Sequence, residues 1–158
     1  MRRILTFLLL AAVSTPATVA AHCEVPCGIY GDAMRIEMLN EHITTIEKAA
    51  SQIRALSAED EPNYNQLVRW VSNKEKHAEE FQEIVSQYFL HQRLKPSGVD
   101  DTAYVHKLTL LHQMLVTAMK CKQTADSEPA TQLRDLVESF AAAYFSPEEL
   151  EHLHEHRN

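Results

Sequence analysis

Residues 32–56 read Asp-Ala-Met-Arg-Ile-Glu-Met-Leu-Asn-Glu-His-Ile-Thr-Thr-Ile-Glu-Lys-Ala-Ala-Ser-Gln-Ile-Arg-Ala-Leu. Ile36, Leu39, Ile43, Ile46, Ala50 and Ile53 recur in alternating steps of three and four, which places them on one stripe of a helix. Such a stripe is stable only when another helix covers it. The acidic break Glu59-Asp60-Glu61-Pro62 ends the segment, because proline disfavours helical geometry in the residue before it.

Outward from this seam the same pattern repeats. A second helix is predicted from about Tyr64 to Leu94, with Leu67, Val68, Val71, Ala78, Phe81, Val85 and Tyr88 on one face. Its middle, Asn73-Lys74-Glu75-Lys76-His77, is polar all round, so it bends there or crosses a polar interior. Lys95-Pro96-Ser97-Gly98 stops it. Asp100 or Asp101 caps a third helix bearing Tyr104, Leu108, Leu111, Leu115, Ala118 and Met119. A fourth starts near Pro129 and carries Leu133, Leu136, Val137, Phe140 and Tyr144. Ser146-Pro147-Glu148-Glu149 has the signature of one more short helix with a capping box. Short links between four main helices predict an all-α fold, an antiparallel up-and-down four-helix bundle.

Composition agrees. The 158 residues suit one domain, and 45% hydrophobic residues with only 3 glycines favour helix over strands and turns. A formal charge of -7 argues against a nucleic-acid partner, which needs clustered Lys and Arg to displace counterions. Bundle stripes alone carry no function; that must come from a site.

Before the first helix the chain reads differently. Residues 1–21 have a basic start, an apolar run and small residues at the end, the proportions of a secretory signal peptide that is removed. The run is too short to span a bilayer, so the mature domain, 22–158, has no membrane partner after cleavage. Cuts after Ala17, Ala20 or Ala21 all satisfy the small-residue rule. Arg2-Arg3 permits the twin-arginine export route, and the apolar run close behind it favours the unfolded one. Either route makes the protein exported, periplasmic or secreted.

Export would ordinarily turn Cys23 and Cys27 into a disulfide. A cut before His22 offers another outcome. The freed amine of His22, the Cys23 amide nitrogen and the sulfurs of Cys23 and Cys27 can then form a plane of two nitrogens and two sulfurs around one ion. Structural zinc prefers a tetrahedron of side chains, usually from two separated pairs, and the sequence lacks a second Cys or His pair at that spacing. A plane containing a deprotonated amide suits nickel(II) or copper(II), and copper(II) tends to oxidise thiolates. The His22 imidazole can approach the plane axially and favour the higher oxidation state. Nickel in a redox site is the better fit.

The run His22-Cys23-x-x-Pro26-Cys27-Gly28-x-Tyr30 resembles the amino-terminal metal hook of nickel-containing superoxide dismutases. Arg35-Ile36-Glu37 is similar to the Arg-Ile-Glu that follows the hook in that family, and the predicted bundle is similar to the family fold. The resemblance implies a superoxide dismutase with one nickel ion per chain, cycling between nickel(II) and nickel(III) as superoxide becomes dioxygen and hydrogen peroxide. It implies His22, Cys23 and Cys27 as metal ligands, Tyr30 as a guard of the open face, and Glu37 as the carboxylate that orients the imidazole. It also implies a homohexamer. Two departures stand out: Tyr30-Gly31-Asp32 replaces the family's Tyr-Asp-Pro, and Gln87-Tyr88-Phe89-Leu90 stands where many members have Asp-Tyr-Phe-Lys-Pro.

Superoxide is an anion and the chain is acidic, so local positive potential is needed; Arg35 and the segment Lys74-Glu75-Lys76-His77 are the candidates. Other readings are a metal carrier without turnover and a secreted bundle with a Cys23–Cys27 disulfide. Cys121 reads as a partly buried thiol, and His152, His154 and His156 as solvated residues of a terminal helix. His42, His91, His106 and His112 sit at helix surfaces or edges without a motif.

Overall fold

The structure is a computed structural model, and it describes residues 30–155. The expected signal peptide and the hook ligands His22, Cys23 and Cys27 lie outside the described residues. The chain divides into two units, Met1–Tyr30 and Gly31–Asn158. Within the second unit the described residues form helices and no strand.

Among the described residues five α-helices follow one another: α1 (Asp32–Ser57), α2 (Tyr64–Glu83), α3 (Thr102–Gln123), α4 (Glu128–Tyr144) and α5 (Pro147–Glu155). The second helix does not end at Glu83 but runs on as a π-helical segment, Ile84–Arg93. Consecutive helices pack on one another, and α1 also packs on α4, which closes the ring of the bundle. The connections between the four long helices are short, so each helix reverses the direction of the one before.

The seam in the first helix is buried as far as Ala50, and Ile53, expected to continue it, is only partly covered. Ile36, Leu39, Ile43 and Ile46 are essentially inaccessible, as is Ala49 beside the expected Ala50. Across the bundle Phe81, Val85, Phe89, Leu111, Met114, Leu133, Val137 and Phe140 complete the core. Phe89 meets Tyr88, Phe140 and Tyr144 edge-on, the preferred geometry for aromatic quadrupoles.

Two expectations differ in detail. Val68 and Val71 are exposed, because burial along α2 begins only at Lys74. On α3 the covered face holds Leu110, Met114, Thr117 and Cys121 as well as Leu111 and Ala118, and it leaves Met119 outside.

Local signals set the helix ends. Asn63 accepts a hydrogen bond from the Gln66 amide at the start of α2, and Asp101 accepts one from Tyr104 at the start of α3. Ser146 and Glu149 form the reciprocal capping box: the Ser146 amide donates to Glu149 Oε2 at 2.9 Å, and the Glu149 amide donates to Ser146 Oγ at 3.3 Å. At the end of α3 the cap comes from another helix. Lys74, buried in α2, donates to the carbonyls of Cys121, Lys122 and Thr124 at 2.5, 2.7 and 2.9 Å. A cation among the last carbonyls of a helix also answers the negative end of its dipole.

Candidate metal centre

The first turns of α1 follow Tyr30, the last residue of the hook motif, after a single residue, Gly31. Asp32 opens α1 and is held from three directions. Arg93 donates from Nε to Oδ1 at 2.8 Å and from Nη2 to Oδ2 at 2.6 Å. Tyr88 donates its hydroxyl to Oδ1, and Tyr144 donates to Oδ2 at 2.8 Å. Tyr88 and Arg93 both come from the π-helical segment, whose buried residues are Ile84, Val85, Tyr88, Phe89 and Gln92. π-helical turns often mark functional positions.

The network sets its own protonation. Burial pulls the Asp32 carboxyl upward, but the bonds from Arg93, Tyr88 and Tyr144 outweigh it and hold it below the ordinary carboxylate value. Burial and the bond to Asp32 push the Tyr88 phenol up to about 12. Tyr144 is raised for the same reasons, and the Arg93 guanidinium is held charged chiefly by its bond to Asp32. Tyr88 and Tyr144 therefore stay neutral donors. The Arg35 guanidinium lies 5.0 Å from the centre of the Tyr88 ring, a cation–π distance.

One turn into α1 the chain leaves polar atoms unpaired. Glu37 Oε1, Arg35 Nε and both amide atoms of Asn40 are buried without a hydrogen-bond partner among the described residues. Such a group costs about 1–3 kcal/mol, and more when charged, so an unpaired carboxylate oxygen calls for an explanation. Glu37 and Asn40 also line one groove with Glu41, Thr44, Thr45 and Arg134. Arg134 crosses from α4 to pair with Glu47 at 2.8 Å.

Of the residues singled out in the sequence, Tyr30 is the first described residue and is exposed, and Glu37 sits on the partly buried face of α1. Tyr88 is buried and committed to Asp32. Lys74 is not a source of surface potential, since its ammonium is buried among the α3 carbonyls. Arg35 and the exposed Lys76 remain the cations of that pair of candidates.

Sequence reasoning missed the joint role of Asp32, Arg93 and Tyr144, because they are brought together over separations of 61 and 112 residues. It also missed His42, which is largely buried and lies with its Nδ1 2.9 Å from that of His77. Burial, then the neighbouring His77, lowers the pKa of His42, so this imidazole is neutral at physiological pH. His77 in the polar middle of the second helix was the available signal.

The described residues thus define an all-α bundle whose first helix, which follows Tyr30 in the chain, carries a buried carboxylate oxygen with no partner among them. The family model of nickel-containing superoxide dismutase matches residues 17–148, and the chain belongs to that family. Its members are oxidoreductases with nickel as cofactor and superoxide as substrate. Comparisons with curated proteins and with solved structures gave no match. The motif's residue types suit the metal, since an imidazole and two thiolates are donors that nickel accepts, and among the described residues Glu37 Oε1 is a buried acceptor without a donor.

Proposed function

We propose that the chain dismutates superoxide at a nickel ion held by its mature amino terminus, after a signal peptidase cuts between Ala21 and His22. The family match carries this reading, because the residues it covers, 17–148, include the whole motif from His22 to Tyr30. His22 would hold the metal through its amine and imidazole, Cys23 through its amide nitrogen and sulfur, and Cys27 through its sulfur. Nickel, when bound, supplies a one-electron couple between its divalent and trivalent states. Overall, one superoxide gives up an electron and leaves as dioxygen, and a second takes up an electron and two protons and leaves as hydrogen peroxide.

The chain's own residues do the rest. Glu37 would accept the N–H of the His22 imidazole through its unpaired oxygen and so fix the ring's orientation, the usual part of a carboxylate behind a metal-bound histidine. Tyr30 would limit access to the open face and order water for the incoming anion. Asp32, gripped by Arg93, Tyr88 and Tyr144, would anchor the segment that follows the hook. Arg35 would offset the acidic charge of the chain near α1. The protein would act outside the cytoplasm as a homohexamer.

The test is the exported protein itself: its first residue, its intact mass, its metal content and its consumption of superoxide. A chain that begins at His22, holds one nickel and consumes superoxide is the expected result. A variant that keeps Ala21 should lose both metal and activity, because its amine is displaced. A mature chain starting at Ala21, or a zinc-loaded chain without superoxide chemistry, overturns the reading. His22→Ala should keep nickel and lose most turnover, because the amine and both sulfurs remain.

A further inference from the structure

We infer that His42, His77 and Glu80 form a second divalent-cation site, of the zinc class, that uses none of the hook residues. His42 comes from α1, while His77 and Glu80 lie one turn apart on the facing side of α2. The two Nδ1 atoms are 2.9 Å apart, and Glu80 Oε2 is 3.7 Å from each of them. The point equidistant from these three atoms lies about 2.0 Å from every one, the length of zinc–nitrogen and zinc–oxygen bonds. Seen from that point the angles are about 90° between the nitrogens and about 130° to the oxygen, which a filled d shell accepts because it imposes no geometry.

Without an ion, one imidazole donates its Nδ1 proton to the other. That bond accounts for the 2.9 Å contact but not for the carboxylate. Glu80 Oε2 faces both rings from beyond hydrogen-bond range. An ion in the centre engages all three groups; the donor ring moves its proton to Nε2, and both Nδ1 lone pairs turn to the metal. Lys76 Nζ forms a loose ion pair with the other carboxylate oxygen, Glu80 Oε1, at 3.6 Å, so that Oε2 is the oxygen on the side of the imidazoles. The side chains of His42 and His77 are only 13% and 25% exposed, whereas Glu80 is 38% exposed, so the site opens toward solvent on the carboxylate side. A water completes the fourth position there. Among the described residues this is the one group of His, Cys, Asp and Glu with such convergence.

The test uses the full mature chain with Cys23→Ser and Cys27→Ser, which removes the hook thiolates, and His152, His154 and His156 changed to Gln. This separates the outcome from the hook reading. After loading with zinc and exhaustive dialysis, one zinc per chain should remain. Cobalt(II) in its place should give visible d–d bands without a sulfur charge-transfer band. Adding His42→Gln or His77→Gln should abolish retention, and Glu80→Gln should weaken zinc binding about tenfold or more. Circular dichroism shows which variants are folded, and the partly exposed Glu80 carries the test if a histidine variant is not. Absence of zinc from the parent, or equal zinc with and without His42, His77 and Glu80, overturns the inference.

Discussion

Arg93, the last residue of the π-helical segment, grips Asp32, the first residue of α1, through Nε at 2.8 Å and Nη2 at 2.6 Å. Two parallel donors from one planar guanidinium fix orientation as well as distance. The pair therefore ties the far end of the second helix to the point where the bundle begins.

Asp32→Asn should lower stability by about 2 kcal/mol, the scale of a charged hydrogen bond in partly buried surroundings. The carboxyl is depressed in the folded chain, so its contribution is full above the ordinary value of 3.8 and is lost as pH falls through the lower folded value. Thermal melts across the acid range should show this loss in the parent and a flatter profile in the variant. An identical acid limb in both would show that Asp32 does not bear this linkage.

Lys74→Met preserves the apolar stem but leaves the carbonyls of Cys121, Lys122 and Thr124 without their shared donor. A loss of about 3 kcal/mol is expected in denaturant unfolding, since buried acceptors then go unpaired. Amide exchange should quicken first in the last turn of α3. A change confined to α2 would contradict this role.

Cys121 is buried, and that burial pushes its thiol up to about 11 despite Lys74 nearby. The reactive thiolate is therefore scarce at neutral pH. In a chain with Cys23→Ser and Cys27→Ser, a thiol reagent should modify nothing in the native state and one group after unfolding. Rapid native labelling would refute the burial.

Glu37→Gln keeps shape and removes the charge from the unpaired oxygen. On the proposed role it should lower turnover about tenfold or more while nickel content stays unchanged. Parallel measurement of metal and kcat distinguishes this from loss of the ion. Full activity would remove Glu37 from the mechanism.

The bundle was legible because each long helix carries its own evidence. Ile36, Leu39, Ile43 and Ile46 announce a buried stripe by spacing alone, and Ser146 and Glu149, three positions apart, announce a capping box. The resemblance at His22–Tyr30 and the family match point to the same chemistry. These are local patterns, set by the helical period and by backbone donors a few residues away.

What the sequence by itself determined is therefore the helices, their breaks and the motif that leads to nickel. Only the tertiary structure decided that the second helix widens into a π-segment, that Lys74 caps α3, that Asp32 gathers Arg93, Tyr88 and Tyr144, and that His42 meets His77 and Glu80. These groups lie tens of residues apart in the chain, so no period or cap records them. They meet because burying the apolar stripes brings the helix faces together and obliges the polar groups trapped between them to find partners.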